Sequence, residues 1–281
     1  MKEIKLRLFD AIEGGDIFWS GELRERGPEE VLSRLLDGRY TTEKRSTERI
    51  VKRLNERTIE ELVAEIDKSG SRFITSEDSE WPHALGDLVA PPIGLVVKGG
   101  VISCDAISIV GTRNPTNYGA RIANEFAAGF ADRSLGVISG GAYGIDSAAH
   151  KGALIAEGET IAVLASGLDI YYPAGNARLF SAIEENGLLI SEYMPGSKAL
   201  PFRFLNRNRI IAAIAEGTMV VEAAFRSGSL RTARDAAGIN RKVMAIPGPI
   251  NSPLSEGCHR LIGEGVAMIC TGVNDAIELM R

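Results

Sequence analysis

From residue 105 onward the chain alternates short apolar runs with stretches of helical spacing, and this alternation limits its fold more than any other feature. The runs AISIVG, LGVIS, TIAVLAS, LLISEY, TMVVEA, KVMAIPG and AMICTG are brief and rich in Val and Ile, as strands covered on both faces are. Between them lie stretches such as YGARIANEFAAGFADRS and DSAAHKGALIAEG, with apolar positions at helical intervals. Strands separated by helices need right-handed crossovers, which predicts an α/β fold with a doubly wound, mostly parallel sheet. Ligands of such sheets bind outside the carboxyl ends of the strands. The loops that directly follow the strands are therefore the place to look for function.

The first 70 residues read differently. GPEEVLSRLLDG has a Pro near its start, acids in its first turn and a Gly at its end, the marks of a helix. TERIVKRLNE and TIEELVAEIDKSG follow, each with a Thr placed to cap it. These segments predict a small helical domain over residues 1–70. Residues 71–104 are rich in Pro-containing turns and read as a connector with lead-in strands, RFIT and IGLVVKG. The third unit is then 105–281. No long-period repeat and no low-complexity tract interrupts the chain.

Charge bears on the partner. The net charge is −5, which argues against a polyanion until its distribution is considered. Residues 1–80 hold 15 Lys/Arg and 19 Asp/Glu, whereas residues 203–242 hold 8 Lys/Arg and 3 Asp/Glu. Local potential governs nucleic-acid affinity more than the total does. No apolar run reaches the ~18 residues of a membrane span, and the mixed charges of MKEIKLRLFDAIEGGD do not suit a secretory signal. Cys104, Cys258 and Cys270 form no C-x-x-C pair and are expected in buried packing, in a reducing, cytoplasmic setting. His83, His150 and His259 are scattered and suggest no metal site. His150 is expected to orient its neighbours.

Four loops carry the chemistry. In GTRNPTNYG, Gly111 lets the chain turn off its strand, Thr112 and Arg113 follow, and a helix begins beyond. Free amides at a helix start favour an anion, and the Arg113 fork suits phosphate oxygens. In SGGAYGID, Ser139, Gly140, Gly141 and Gly144 allow close approach of a phosphate, while Asp146 or Ser147 caps the next helix. The spacing is not that of the dinucleotide fingerprint, and no G-K-[ST] makes it a Walker loop. In ASGLDIYYPAGN, Tyr171 and Tyr172 are stacking candidates, and Asn176 can read a base edge or cap a helix. FRFLNRNRIIAAI clusters Arg203, Arg207 and Arg209 with Asn206 and Asn208 at a helix start. VVEAAFRSGSLRTARDA then places Glu222 at a strand end, where it could pair with an arginine, followed by Arg226, Ser227 and Ser229.

Taken in order, GTRNPTNYG, SGGAYGIDSAAHKGAL, TIAVLASGLDIYYPAGN, LISEYMPG, RNRIIAAI, VVEAAFRSGSLRTA and AIPGP resemble the successive motifs of the DprA/Smf family. WPHALGDLVAPPIGLVVKG resembles its lead-in segment. The resemblance implies an extended Rossmann-like domain with a small N-terminal helical, SAM-like domain. It implies binding and protection of single-stranded DNA in natural transformation, delivery to the recombinase RecA, no catalysis and no cofactor. Homodimerisation through the C-terminal part of the Rossmann-like domain is also implied, and EGCHRLIGEGVAMICTG is apolar enough to contribute to such a face. The family's Gly-x-Arg falls on Gly111 and Arg113, its glycine loop on Ser139 to Asp146, and its Arg-Asn-Arg on Arg207, Asn208 and Arg209. Lys151, on the helix after the glycine loop, joins the implied DNA contacts. The family often has a basic residue where this chain has Tyr143, which suits stacking instead. Arg231 stands where an aliphatic residue is commoner. Many members carry a C-terminal winged-helix-like domain, which a chain ending at Arg281 is expected to lack.

Two other readings compete. A nucleotide-binding sensor or nucleotide-hydrolysing enzyme could use a related scaffold, but the P-G-G-x-G-T-x-x-E run of such relatives is absent. A pure interaction protein that has lost ligand binding would not need the glycine loops and arginines.

Overall fold

The computed structural model describes residues 1–40, 47–101 and 105–281. Cys104 lies outside the described residues. The other two cysteines, Cys258 and Cys270, are buried as expected.

Each apolar run of the sequence is a strand. In chain order they are β1 (Arg72–Ile74), β2 (Leu95–Gly99), β3 (Ala106–Val110), β4 (Gly136–Ser139), β5 (Thr160–Leu164), β6 (Leu188–Ser191), β7 (Gly217–Val220), β8 (Lys242–Ala245) and β9 (Met268–Ile269). Among the described residues they form one sheet in the order β1-β2-β6-β5-β4-β3-β7-β8-β9. From β6 to β9 all neighbours are parallel, and β1 and β2 extend the β6 edge antiparallel. The fold is thus the mostly parallel α/β sheet that the alternation requires. RFIT and IGLVVKG belong to this same sheet.

The helices are α1 (Lys2–Ala11), α2 (Ile17–Leu36), α3 (Glu48–Glu56), α4 (Ile59–Lys68), α5 (Asn117–Ala131), α6 (Ile145–Ile155), α7 (Ala177–Asn186), α8 (Pro201–Ile214), α9 (Ser229–Gly238), α10 (Glu256–Gly263) and α11 (Val273–Met280). Strand side chains alternate between faces. Ile107 and Ile109 pack with Phe126 and Phe130 of α5 and Ala149 of α6. Ala106 and Val110 pack on the opposite face with Ile210 and Ile211 of α8, Leu230 of α9 and Leu261 of α10. Both faces are covered, which is why the strands read as continuous apolar runs.

The N-terminal helices have a cluster of their own around Leu8, Trp19, Val31, Leu35 and Leu54. Leu6, Phe9, Leu62 and Ile66 instead join a cluster with Phe73, Val96 and Phe180. The α1 and α4 faces are therefore buried against the sheet. α2 breaks at Gly27, whose φ of 79° lies in the left-handed region, so Pro28 opens a second helical segment. Thr58 closes a capping box with Glu61 on α4. Thr47, expected to cap α3 in the same way, makes no side-chain cap bond. No helix of the described residues is long and apolar enough to cross a membrane.

Candidate nucleic-acid interface

The strand order reverses between β3 and β7. The chain leaves β3 towards β4, β5 and β6, whereas β7 begins the run towards β8 and β9. Two loops diverge at such a point and leave a crevice at the carboxyl ends of the strands. Here the crevice is a cleft of about 410 Å³, walled by Gly111 to Arg113, by Phe204, Arg207 and Asn208 of α8, and by Arg226 to Ser229.

The loop after β3 is pinned at both ends. A Cβ on Gly111 would lie 2.6 Å from Ile145 and 2.8 Å from the Glu222 carbonyl, so only glycine fits. The Thr112 amide donates to the Glu222 carbonyl at 2.6 Å, and the Ile145 amide to the Thr112 carbonyl at 3.1 Å. The Glu222 carboxylate accepts from the Thr116 amide at 2.9 Å and its hydroxyl at 2.6 Å. Glu222 thus holds the start of α5, where Thr116 caps Gly119, and among the described residues it pairs with no arginine, contrary to what the sequence suggested. Between the pins Arg113 is exposed, and among the described residues no carboxylate pairs with it. Its guanidinium lies 5.2 Å from the Phe204 ring centroid, within cation–π range.

The glycine loop after β4 has a different role from the one its composition suggests. The Asp146 carboxylate accepts from the Gly140 and Ala142 amides at 3.2 and 3.3 Å. Arg207 donates to the Gly140 carbonyl at 2.6 Å, to the Val163 carbonyl, and through Nε to Asn208 at 3.0 Å. Asp146 and Arg207 are both buried. Burial raises the Asp146 carboxyl against the opposing pull of Arg207, and burial also pushes the Arg207 guanidinium down to about 10. A Cβ on Gly140 would strike the Arg207 guanidinium at 2.0 Å. Gly141 and Gly144 have φ of +65° and +83°, and their missing side chains leave room for Phe180 and the Thr112 carbonyl. These glycines make way for the protein's own groups. Neither Asp146 nor Ser147 caps α6, whose N-cap is Gly144.

Other expected contacts are also turned inward. The Ser139 hydroxyl donates to the Ile109 carbonyl at 2.6 Å. Asn176 donates to the Gly141 carbonyl at 2.9 Å and to Ser147 at 2.8 Å. Arg209 binds the buried Glu192, and Arg203 binds Glu13. Tyr171 bonds to Glu184 and packs on Phe180. Ser227 and Ser229 bond to each other at 2.7 Å beside the cleft, and Asn208 reaches the Gly228 carbonyl at 3.4 Å. Lys151 is exposed on α6 but does not line the cleft.

What faces outward is a cationic and aromatic rim. Arg113 and Arg226 are exposed at the cleft, and neither has a carboxylate partner among the described residues. Tyr172 is half-exposed, with its ring centroid 5.5 Å from that of Phe204. Tyr143 is also half-exposed and accepts the Gly175 amide through its hydroxyl at 3.2 Å. Phe204 was not singled out from sequence. Its one signal is an aromatic residue two positions before the Asn-Arg-Asn-Arg run that begins at Asn206. Among the described residues no group of three or more His, Cys, Asp or Glu side chains is placed to hold a metal.

These features define an α/β protein of the extended Rossmann-like class, with its cleft at the switch point. The chain belongs to the family described as DNA recombination-mediator protein A, which matches residues 72–281. It is similar to a DprA-type DNA processing protein of Mycobacterium tuberculosis, at 43% identity over 228 residues, 76% of this chain. It spans only 58% of that relative's length. The X-ray structure of DNA processing protein A from Streptococcus pneumoniae superposes with a TM-score of 0.85 at 33% identity, covering 99% of this chain and 98% of that one. A structure of DNA processing protein A from Helicobacter pylori, described for its single-stranded DNA binding mode, matches with a TM-score of 0.68 at 30% identity, over 75% and 96% of the two chains.

Proposed function

We propose that this chain binds single-stranded DNA along the rim of the switch-point cleft and passes it to the recombinase RecA during DNA uptake, without chemistry of its own. The observation that carries the reading is Arg113, a permanently charged and unpaired fork held at the cleft mouth by a loop pinned at both ends. Arg226, exposed on the facing loop and without a carboxylate partner among the described residues, adds a second cation. Phosphates dock on such guanidinium groups, and bases stack on aromatic faces such as Tyr172 and Phe204. The single-strand binding described for the Helicobacter pylori relative supports the same reading.

The site residues we assign to DNA contact are Arg113, Arg226, Tyr143, Tyr172 and Phe204, with Thr112, Ser227 and Asn208 on the cleft wall. Arg207, Ser139, Asn176 and the glycines support them from below. A cytoplasmic location and a homodimer made through the C-terminal part of the sheet complete the proposal, the latter supported by the exposed Met268 and Ile269 of β9.

A gel shift comparing single- and double-stranded oligonucleotides at two salt concentrations tests it. Preference for the single strand, with affinity falling steeply as salt rises, is the expected result. Equal retention of both forms would reject the site as a single-strand track. Recombinase delivery is read separately, as faster RecA nucleation on single strands coated with the protein.

A further inference from the structure

α8 is held from two sides. Arg203, Asn206 and Arg209, each three residues from the next, grip the turn between α1 and α2 and the strand end of β6. Arg203 binds Glu13 at 2.8 and 3.1 Å. Asn206 donates to the Gly14 carbonyl at 3.1 Å. Arg209 reaches both oxygens of Glu192 at 2.5 and 2.6 Å. Glu192 is buried beneath the turn, and a Cβ on Gly14 would lie 2.2 Å from its carboxyl carbon. Phe204, Arg207, Asn208 and Ile211, at i, i+3, i+4 and i+7, line the DNA cleft. One rigid helix therefore carries both the dock for the N-terminal turn and a wall of the cleft.

Packed interiors transmit displacement rather than absorb it. A shift of α8 towards or away from the turn must move Phe204 relative to Arg113, because the two residues sit on different elements. We propose that docking of the 12–16 turn on α8 sets the aromatic wall of the cleft, so that Glu13, Gly14 and the Glu192–Arg209 pair are positioning residues for single-strand binding. The proposal rests on the single-strand reading above and deepens it: the N-terminal helices act on affinity without touching the strand. Coupling of this kind is reciprocal, so the strand must in turn tighten the turn.

The test uses the full chain. Gly14→Ala pushes a methyl group into Glu192, and Glu13→Gln weakens the Arg203 pair more gently. Anisotropy with labelled oligo-dT should show affinity reduced between about 5- and 150-fold, with the salt slope unchanged because no phosphate contact is lost. Saturating oligo-dT should also slow hydrogen exchange at the 13–16 amides of the wild-type chain. Arg26→Gln, whose partner Glu22 lies on the same helix, should bind as wild type. If Gly14→Ala fails to fold, Glu13→Gln decides. Folded variants with wild-type affinity, or no slowing of exchange in a chain that binds DNA, would overturn the proposal. A wild-type chain that binds no single strand would instead reject the underlying reading.

Discussion

The Arg113 guanidinium sits 5.2 Å from the centre of the Phe204 ring, bridging the loop after β3 and the start of α8 across the cleft mouth. Phe204 in turn lies 5.5 Å from Tyr172. Two loops and the start of α8 are thereby joined through π contacts at the cleft mouth.

Arg113→Glu should remove most affinity for oligo-dT, and Arg113→Ala should lower the salt slope by about 1. Because the side chain is exposed, stability should change by no more than about 0.5 kcal/mol. Titrations at several salt concentrations, alongside thermal melts, check both halves. Unchanged binding in Arg113→Glu would remove the loop from the interface.

Arg207 should behave in the opposite way. Its guanidinium is buried on the Gly140 and Val163 carbonyls, near the buried Asp146. Arg207→Met leaves those two buried carbonyls without their donor and should cost about 1–3 kcal/mol of stability for each. Denaturant unfolding measures this directly. A loss of DNA binding without loss of stability would show that Arg207 reaches the strand after all.

Tyr172→Ala should cost about 1–3 kcal/mol of binding if one base stacks on the ring. Tyr172→Phe should retain it, since the face and not the hydroxyl makes the contact. Anisotropy on both variants separates stacking from hydrogen bonding.

His150 gives a pH signature. Its Nδ1 lies 2.7 Å from the Thr160 hydroxyl, which itself donates to the Val137 carbonyl at 3.0 Å, so Nδ1 carries the proton of a neutral ring. Burial, with a smaller contribution from Arg207, pushes its pKa from 6.5 down to about 3. The unfolded chain takes up a proton that the folded chain refuses. The stabilisation is present above pH 6.5 and is lost as pH falls towards 3, by up to about 1.4 kcal/mol per pH unit. Unfolding between pH 6.5 and 5 should show this slope in the wild type and a shallower one in His150→Gln. Equal slopes would mean that the ring is charged when folded.

The strands at the centre of the sheet were legible in the sequence because a strand buried on both faces carries no charged residue, and β3 to β7 have none. The loops were legible as loops, but their contents were not. Glycine announces that something comes close to the backbone without saying what, and here Arg207, Phe180 and the Thr112 carbonyl do so. The basic stretch misled for a related reason. Arg203, Arg209, Arg234 and Arg241 meet Glu13, Glu192, Glu264 and Asp87, all distant in sequence, and Arg231 meets Asp235 one helical turn away. Counting charges along a chain cannot see partners supplied by the fold. Arg226 has no carboxylate partner among the described residues, and Arg113 lies outside the stretch altogether.

The sheet also ends abruptly at both sides, with three residues in β1 and two in β9. So few unpaired amides and carbonyls offer a poor template for strand addition. Two copies meeting at the β9 end would be joined by side chains such as Met268 and Ile269 rather than by a continued hydrogen-bond ladder, which favours a closed pair over an open-ended fibre.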